Sequence, residues 1–204
     1  MKDRRLVLDL ETKKSFDDVG GRSHLEKLGI SVVGVYDYSD DSYVCYLEQD
    51  FGRLQNLLID ASLIIGFNHQ LFDMPVLQPY LSIDVTQLPL FDIMLDVQKI
   101  LGHRVSLDSV ASATLGIGKT GSGLDAIKYY NEGRWHELKS YCLNDVKVTK
   151  EVFDYGIEHK KIAFMSKFGG QKKDILVNWS DFSGRKAAKA IEAKPAPQAQ
   201  YKLF

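Results

Sequence analysis

Cysteine is almost missing: Cys45 and Cys142 are the only two in 204 residues. Such a pair forms neither a disulfide framework nor a CxxC metal motif, so the fold must rest on an apolar core. A domain of this length buries enough surface for that. Both cysteines fall in predicted regular structure, which suits buried free thiols in a reducing compartment, and Cys142 has no histidine nearby to activate it as a nucleophile. Long hydrophobic runs are missing too. No stretch approaches the about 20 apolar residues of a membrane span. The N-terminal apolar segment is too short for a signal peptide and is broken by Asp9, so a cytoplasmic setting without a membrane partner is expected. Neither sign of charge dominates. With 26 Lys and Arg against 27 Asp and Glu, the net charge is −1. That speaks against a passive basic nucleic-acid-binding module and is compatible with an enzyme whose acidic site is offset by cations. A phosphate loop is missing as well: LGIGKTGSG, ending at Gly123, lacks the GxxxxGK[ST] spacing and follows a predicted helix. His24, His69, His103 and His159 show no paired spacing and read as separate surface residues, as does His136.

Hydrophobic periodicity gives three strands first, at 4–12, 30–38 and 43–48, the last two joined by the turn-forming Ser39, Asp40, Asp41 and Ser42. They are expected to form an antiparallel meander. Between the first two lies a long polar loop, Lys13 to Gly29, of the kind that is usually functional. Strand and helix then alternate: helix 51–60, buried strand 62–67, helix 73–82, a short strand at 88–91, and helices at 92–101, 107–115, 123–131 and 134–157. The order implies an α/β fold with a mixed sheet and helices on both faces. Segments 161–168 and 174–179 flank Gly169 and Gly170 and predict an appended β-hairpin. The expected organisation is therefore a main domain over 1–158, a hairpin over 159–183 and an Ala-, Lys- and Pro-rich tail over 184–204.

Carboxylates stand out against this frame. In the first strand Leu6, Leu8 and Leu10 point one way, while Val7, Asp9 and Glu11 point the other. Two carboxylates about 7 Å apart on one strand face repel unless a cation lies between them or the face is solvated. On the long helix, a rotation of about 100° per residue places Trp135, Leu138, Cys142, Val146, Thr149, Val152 and Phe153 on one arc. Asp145 falls inside that arc, with Tyr141 one turn before it. A carboxylate aimed at a packing face needs a metal, a buried Arg or Lys, or a hydrogen-bond donor. Asp73 sits where a helix starts, a position that capping alone would also favour. Arg104, Lys119 and Lys128 precede the long helix and are either solvated charge or phosphate contacts.

Together the segments Asp9-Leu10-Glu11, Gly66-Phe67-Asn68 through Phe72-Asp73, and Tyr141 through Asp145 resemble the DEDD exonucleases of RNase H-like fold. More narrowly they resemble the tyrosine-bearing branch that includes RNase D-type and polymerase proofreading domains, because position 140, where the other branch carries histidine, is Ser and position 141 is Tyr. The match spans about three quarters of the chain, residues 5–157. The resemblance implies that Asp9, Glu11, Asp73 and Asp145 hold two divalent cations, Mg²⁺ or Mn²⁺, and that Tyr141 positions the attacking water. It also places Leu10, Asn68 and Phe72 near substrate. Two-metal logic makes Asp9 the bridging ligand, gives Glu11 and Asp145 to one cation and Asp73 to the other. The implied activity is 3′–5′ exonucleolytic release of nucleoside 5′-monophosphates from the 3′ end of single-stranded DNA or RNA, with a helicase or polymerase as a candidate partner in trans. The alternatives are a catalytically silent nucleic-acid-binding domain and an endonuclease on the same scaffold.

Overall fold

The computed structural model describes residues 3–118, 123–166 and 170–179. The tail from 184, Lys119 and Gly169 lie outside the described residues. Strand β1 (Arg5–Thr12) is followed by β2 (Ile30–Asp37), β3 (Ser42–Tyr46), α1 (Phe51–Ile59), β4 (Leu63–Gly66), α2 (Asp73–Leu77), β5 (Leu90–Asp92), α3 (Ile93–Leu101), α4 (Leu107–Leu115), α5 (Gly123–Asn131) and α6 (Trp135–His159). A hairpin of β6 (Lys161–Met165) and β7 (Lys172–Leu176) follows.

β1 to β5 form one sheet in the order β3-β2-β1-β4-β5. β1, β2 and β3 pair antiparallel, whereas β4 and β5 run parallel to β1. β1 is thus central, as its apolar character demands. Its leucines Leu6, Leu8 and Leu10 pack with Leu54 and Leu58 of α1 and Met74 and Leu77 of α2. Val7, on the other face, packs with Val97 of α3, Val110 of α4 and Val146, Val152 and Phe153 of α6. Period-2 alternation in one strand therefore assigns each sheet face its helices.

The hairpin does not extend the main sheet; it lies along α4. The Thr114 hydroxyl donates to the Ala163 carbonyl at 3.0 Å and accepts from its N–H at 2.9 Å. Ser109 does the same for Met165, at 3.1 and 3.0 Å. Two hydroxyls on one helix thus satisfy a strand edge that would otherwise be open to pairing with another chain. Beyond β7, Trp179 is buried, stacks on Phe153 with ring centroids 5.8 Å apart, and donates from its indole nitrogen to Asp96 at 2.8 Å. Gly156 makes room for it: a Cβ there would lie 2.2 Å from the indole ring.

Several expected details differ. The helix expected over 73–82 ends at Leu77 and continues as a 3-10 turn over Gln78–Tyr80, and the Lys13–Gly29 loop contains two such turns, Asp17–Val19 and Leu25–Lys27. Trp135 falls on the predicted apolar arc but is exposed: it is the first residue of α6, and its ring meets Tyr130 edge-on. His69 is a correction of more consequence. It is fully buried, 3.6 Å from Asp92, and not on the surface. Burial holds its ring down to about pKa 4, so at neutral pH it is a neutral filler of the β4–α2 connection.

Candidate active site

β4 pairs with β1 only as far as Val7. The next residues of β1, Asp9 through Glu11, therefore lie beyond the carboxyl end of the parallel strands, where open α/β sheets form their binding crevices. There the Leu10 N–H donates to Asp73 Oδ1 at 3.1 Å, so the first residue of α2 takes over the strand edge that β4 leaves. Asp73 is a tertiary tie rather than a cap: the N-cap position is Phe72, which makes no side-chain cap.

α6 brings the remaining carboxylate. Opposite Asp9 in the β1–β2 ladder stands Gly34, where a Cβ would come within 2.9 Å of both Cys142 Sγ and Val146 Cγ2. Only a residue without a side chain lets α6 lie this close to the sheet. One ligand oxygen from each of Asp9, Glu11 and Asp145 then falls within 4.8 Å of the others. Among the described residues none of the three is paired with a Lys, Arg or His, so the buried ion pair that could have explained Asp145 is not made.

The electrostatics follow. Burial first, then Asp73, Glu11 and Asp145, push the Asp9 carboxyl well above the usual carboxylate range. Burial and then Asp145 do the same to Glu11. Asp73 is pushed up to about 7 by burial, against the lowering effect of its backbone hydrogen bonds. Asp145 is pushed up to about 6 by burial and then by Asp108, while the Tyr141 hydroxyl works the other way. Burial and Asp145 raise the half-buried Tyr141 phenol, which stays protonated at neutral pH. Burial raises the Cys142 thiol too, and its Sγ lies 3.7 Å from the Asp9 carbonyl, so it is a packing group behind the site.

A family model described as RNase_H superfamily matches residues 8–157. The chain belongs to the RNase H superfamily. Among solved structures, the family B DNA polymerase from the hyperthermophilic archaeon Pyrobaculum calidifontis superposes with a TM-score of 0.55 at 17% identity, over 77% of this chain and 25% of the polymerase. At that identity the likeness is one of fold, and this chain spans about a quarter of the polymerase's length. No curated protein matches the sequence.

On this RNase H scaffold a cavity of about 280 Å³ opens beside Glu11, walled by Leu10, Phe16, Leu28, Phe72 and Ile127. Phe16 comes from the Lys13–Gly29 loop, meets Phe72 edge-on at 5.8 Å and carries the Arg22 guanidinium 4.6 Å above its ring. Leu10 and Phe72 thus share one cavity with Glu11, while Asn68 lies elsewhere. The Asn68 backbone has φ +66°, and its side-chain oxygen accepts from Arg104. The fixed point of this connection is Asp92, which sequence reasoning missed. Its buried carboxylate accepts from the N–H groups of Asn68 at 2.8 Å, Gln70 at 3.0 Å and Leu95 at 3.1 Å. Its place just before an apolar helix was the one available signal, that of an N-cap. Phe16 carried none, since it lies in the Lys13–Gly29 loop, outside any periodic or motif position.

Proposed function

We propose that this chain is a metal-dependent 3′–5′ exonuclease of the tyrosine-bearing DEDD branch, releasing nucleoside 5′-monophosphates from single-stranded DNA or RNA. The observation that carries the reading is the convergence of Asp9, Glu11 and Asp145 within 4.8 Å, with no protein cation paired to them among the described residues. Such a cluster is held at a cost unless divalent cations offset it. Asp9, Glu11 and Asp145, with Asp73 fixed to the same strand, would hold two of them, and an all-oxygen donor set suits Mg²⁺ or Mn²⁺. When bound, the cations supply the positive charge that polarises a phosphodiester and stabilises its attacking and leaving oxygens.

The chain's own groups do the rest. Tyr141 keeps its proton, so it orients the attacking water by hydrogen bonding and does not act as its base. The cavity beside Glu11 takes the terminal nucleoside, with Leu10, Phe16 and Phe72 against the base and the sugar edge toward the carboxylates. Asp92 holds the connection that carries Asn68 and Asp73 in register with β1.

The test is digestion of 5′-labelled single-stranded DNA and RNA with Mg²⁺ or Mn²⁺. The expected result is a ladder shortening from the 3′ end, abolished by EDTA and reduced at least about 100-fold by Asp145→Ala. Internal cuts with the same metal dependence would replace this reading with an endonuclease. Retention of substrate without cleavage would replace it with a binding domain.

A further inference from the structure

A second cavity, larger than the one beside Glu11, lies away from the carboxylates. It is a groove of about 770 Å³ between the α3–α4 connection and the hairpin, lined by Arg104, Ser106 and Ser109 on one wall and by Phe164, Met165 and Lys173 on the other. Its volume is that of a ligand site. The walls are tied together, because Ser109 bridges both backbone groups of Met165. Its floor is apolar and aromatic: Phe164 is buried, Met165 is partly exposed, and the His103 ring meets Phe164 at 5.9 Å. The charged side chains that line it, Arg104 and Lys173, are positive. Across the hairpin Lys173 stands opposite Phe164, and among the described residues it forms no ion pair. The neighbouring Asp174 is taken up by Lys161 at 2.9 Å, and the Arg104 guanidinium has only the neutral Asn68 side chain as partner among the described residues.

A chain of hydrogen bonds links the groove to the segment that carries Asp73. Arg104 lines it and bonds Asn68, whose backbone is held by the same Asp92 that steadies the run to Asp73. We propose that this groove is the track of the single-stranded nucleic acid, gripping through Arg104 and Lys173 the phosphodiester backbone behind the end that the carboxylates cut. A positively charged groove with an apolar, aromatic floor is the chemistry that binds single strands without reading their sequence. The inference rests on the exonuclease reading for the direction of the strand. It assigns the appended hairpin a substrate-binding role that the carboxylate motifs do not imply.

The test uses Lys173→Glu and the milder Lys173→Gln, both on an exposed strand position where melting should not change. Anisotropy of labelled oligothymidylate and oligouridylate of about 12 nucleotides, against salt, reads binding in an Asp145→Ala background that cannot cut. Lys173→Glu should weaken binding about tenfold and lower the slope of log affinity against log salt by about 1, with Lys173→Gln between. With the cutting residues restored, hydrolysis of a dinucleotide, too short to reach the groove, should stay within about twofold of the parent, while degradation of the long strand slows. Oligomer binding that ignores Lys173 overturns the proposal, and so does an equal loss on the dinucleotide. If the parent chain cuts nothing yet oligomer binding depends on Lys173, the groove stands and the exonuclease reading falls. If it cuts but binding is independent of Lys173, the reverse holds.

Discussion

Asp9 owes its position to two neighbours that carry no chemistry. Gly34 lets α6 approach, and Leu10 offers the N–H that fixes Asp73. Gly34→Ala would drive a methyl into Cys142 and Val146 at 2.9 Å. Overpacking of this kind costs about 1–3 kcal/mol. The variant should therefore melt lower and lose cleavage as Asp145 moves back from Asp9, which thermal unfolding and the labelled-strand assay together measure. Asp92 is the second such residue. Asp92→Ala strips three backbone N–H groups of their acceptor, with an expected destabilisation on the order of 3 kcal/mol. Its cleavage defect should exceed that of an equally destabilised core variant, because the register of Asn68 and Asp73 goes with it. A variant of unchanged stability by denaturant titration would show that the carboxylate is dispensable.

Among the helices, α6 serves both the core and the site. Its Leu138, Cys142, Val146, Val152 and Phe153 fill the core, and Asp145 leaves the same broad face toward β1. The far end of the helix is covered by Trp179, which arrives from beyond the hairpin and sits on Gly156 and Phe153. Removing a buried indole typically costs about 3–5 kcal/mol. Trp179→Ala should lower the denaturant midpoint by a corresponding amount and expose the hairpin, whose amides at Ala163 and Met165 would exchange faster. If exchange there is unchanged, the hydroxyls of Ser109 and Thr114 suffice to hold β6.

For the molecule as a whole, the acidic site sets the pH dependence of stability. Asp73 at about 7 and Asp145 at about 6 are raised above the about 4 of an unfolded carboxyl, as are Asp9 and Glu11. Between those values the folded state binds more protons than the unfolded one. The stability these groups contribute is therefore fully present below about pH 4 and is lost as pH rises through about 6 to 7. Without divalent cations the melting temperature should fall from about pH 5 to about pH 8, and Mg²⁺ or Mn²⁺ should raise it far more at the upper value than at the lower. Equal stabilisation at both pH values would mean that the cations bind elsewhere. No helix among the described residues is long and apolar enough to cross a membrane.

The sequence alone determined what local physics controls. Alternation in Leu6 through Glu11 separated the carboxylates from the leucines, the periodicity of α6 showed Asp145 out of place among apolar residues, and the order of strands and helices implied the mixed sheet. Those signals repeat with the chain's own period, so one strand or one helix suffices to read them. Tertiary structure decided what depends on residues far apart in sequence. It buried His69, made Asp92 the anchor of a connection 22–24 residues away, and turned Asp73 toward Leu10, 63 residues distant. It also brought Phe16 beside Phe72 and stood Arg104 between Asn68 and the groove. A hydrogen bond or a packed ring between such residues leaves no periodic trace along the chain, and becomes visible only when the sheet order has set which ends meet.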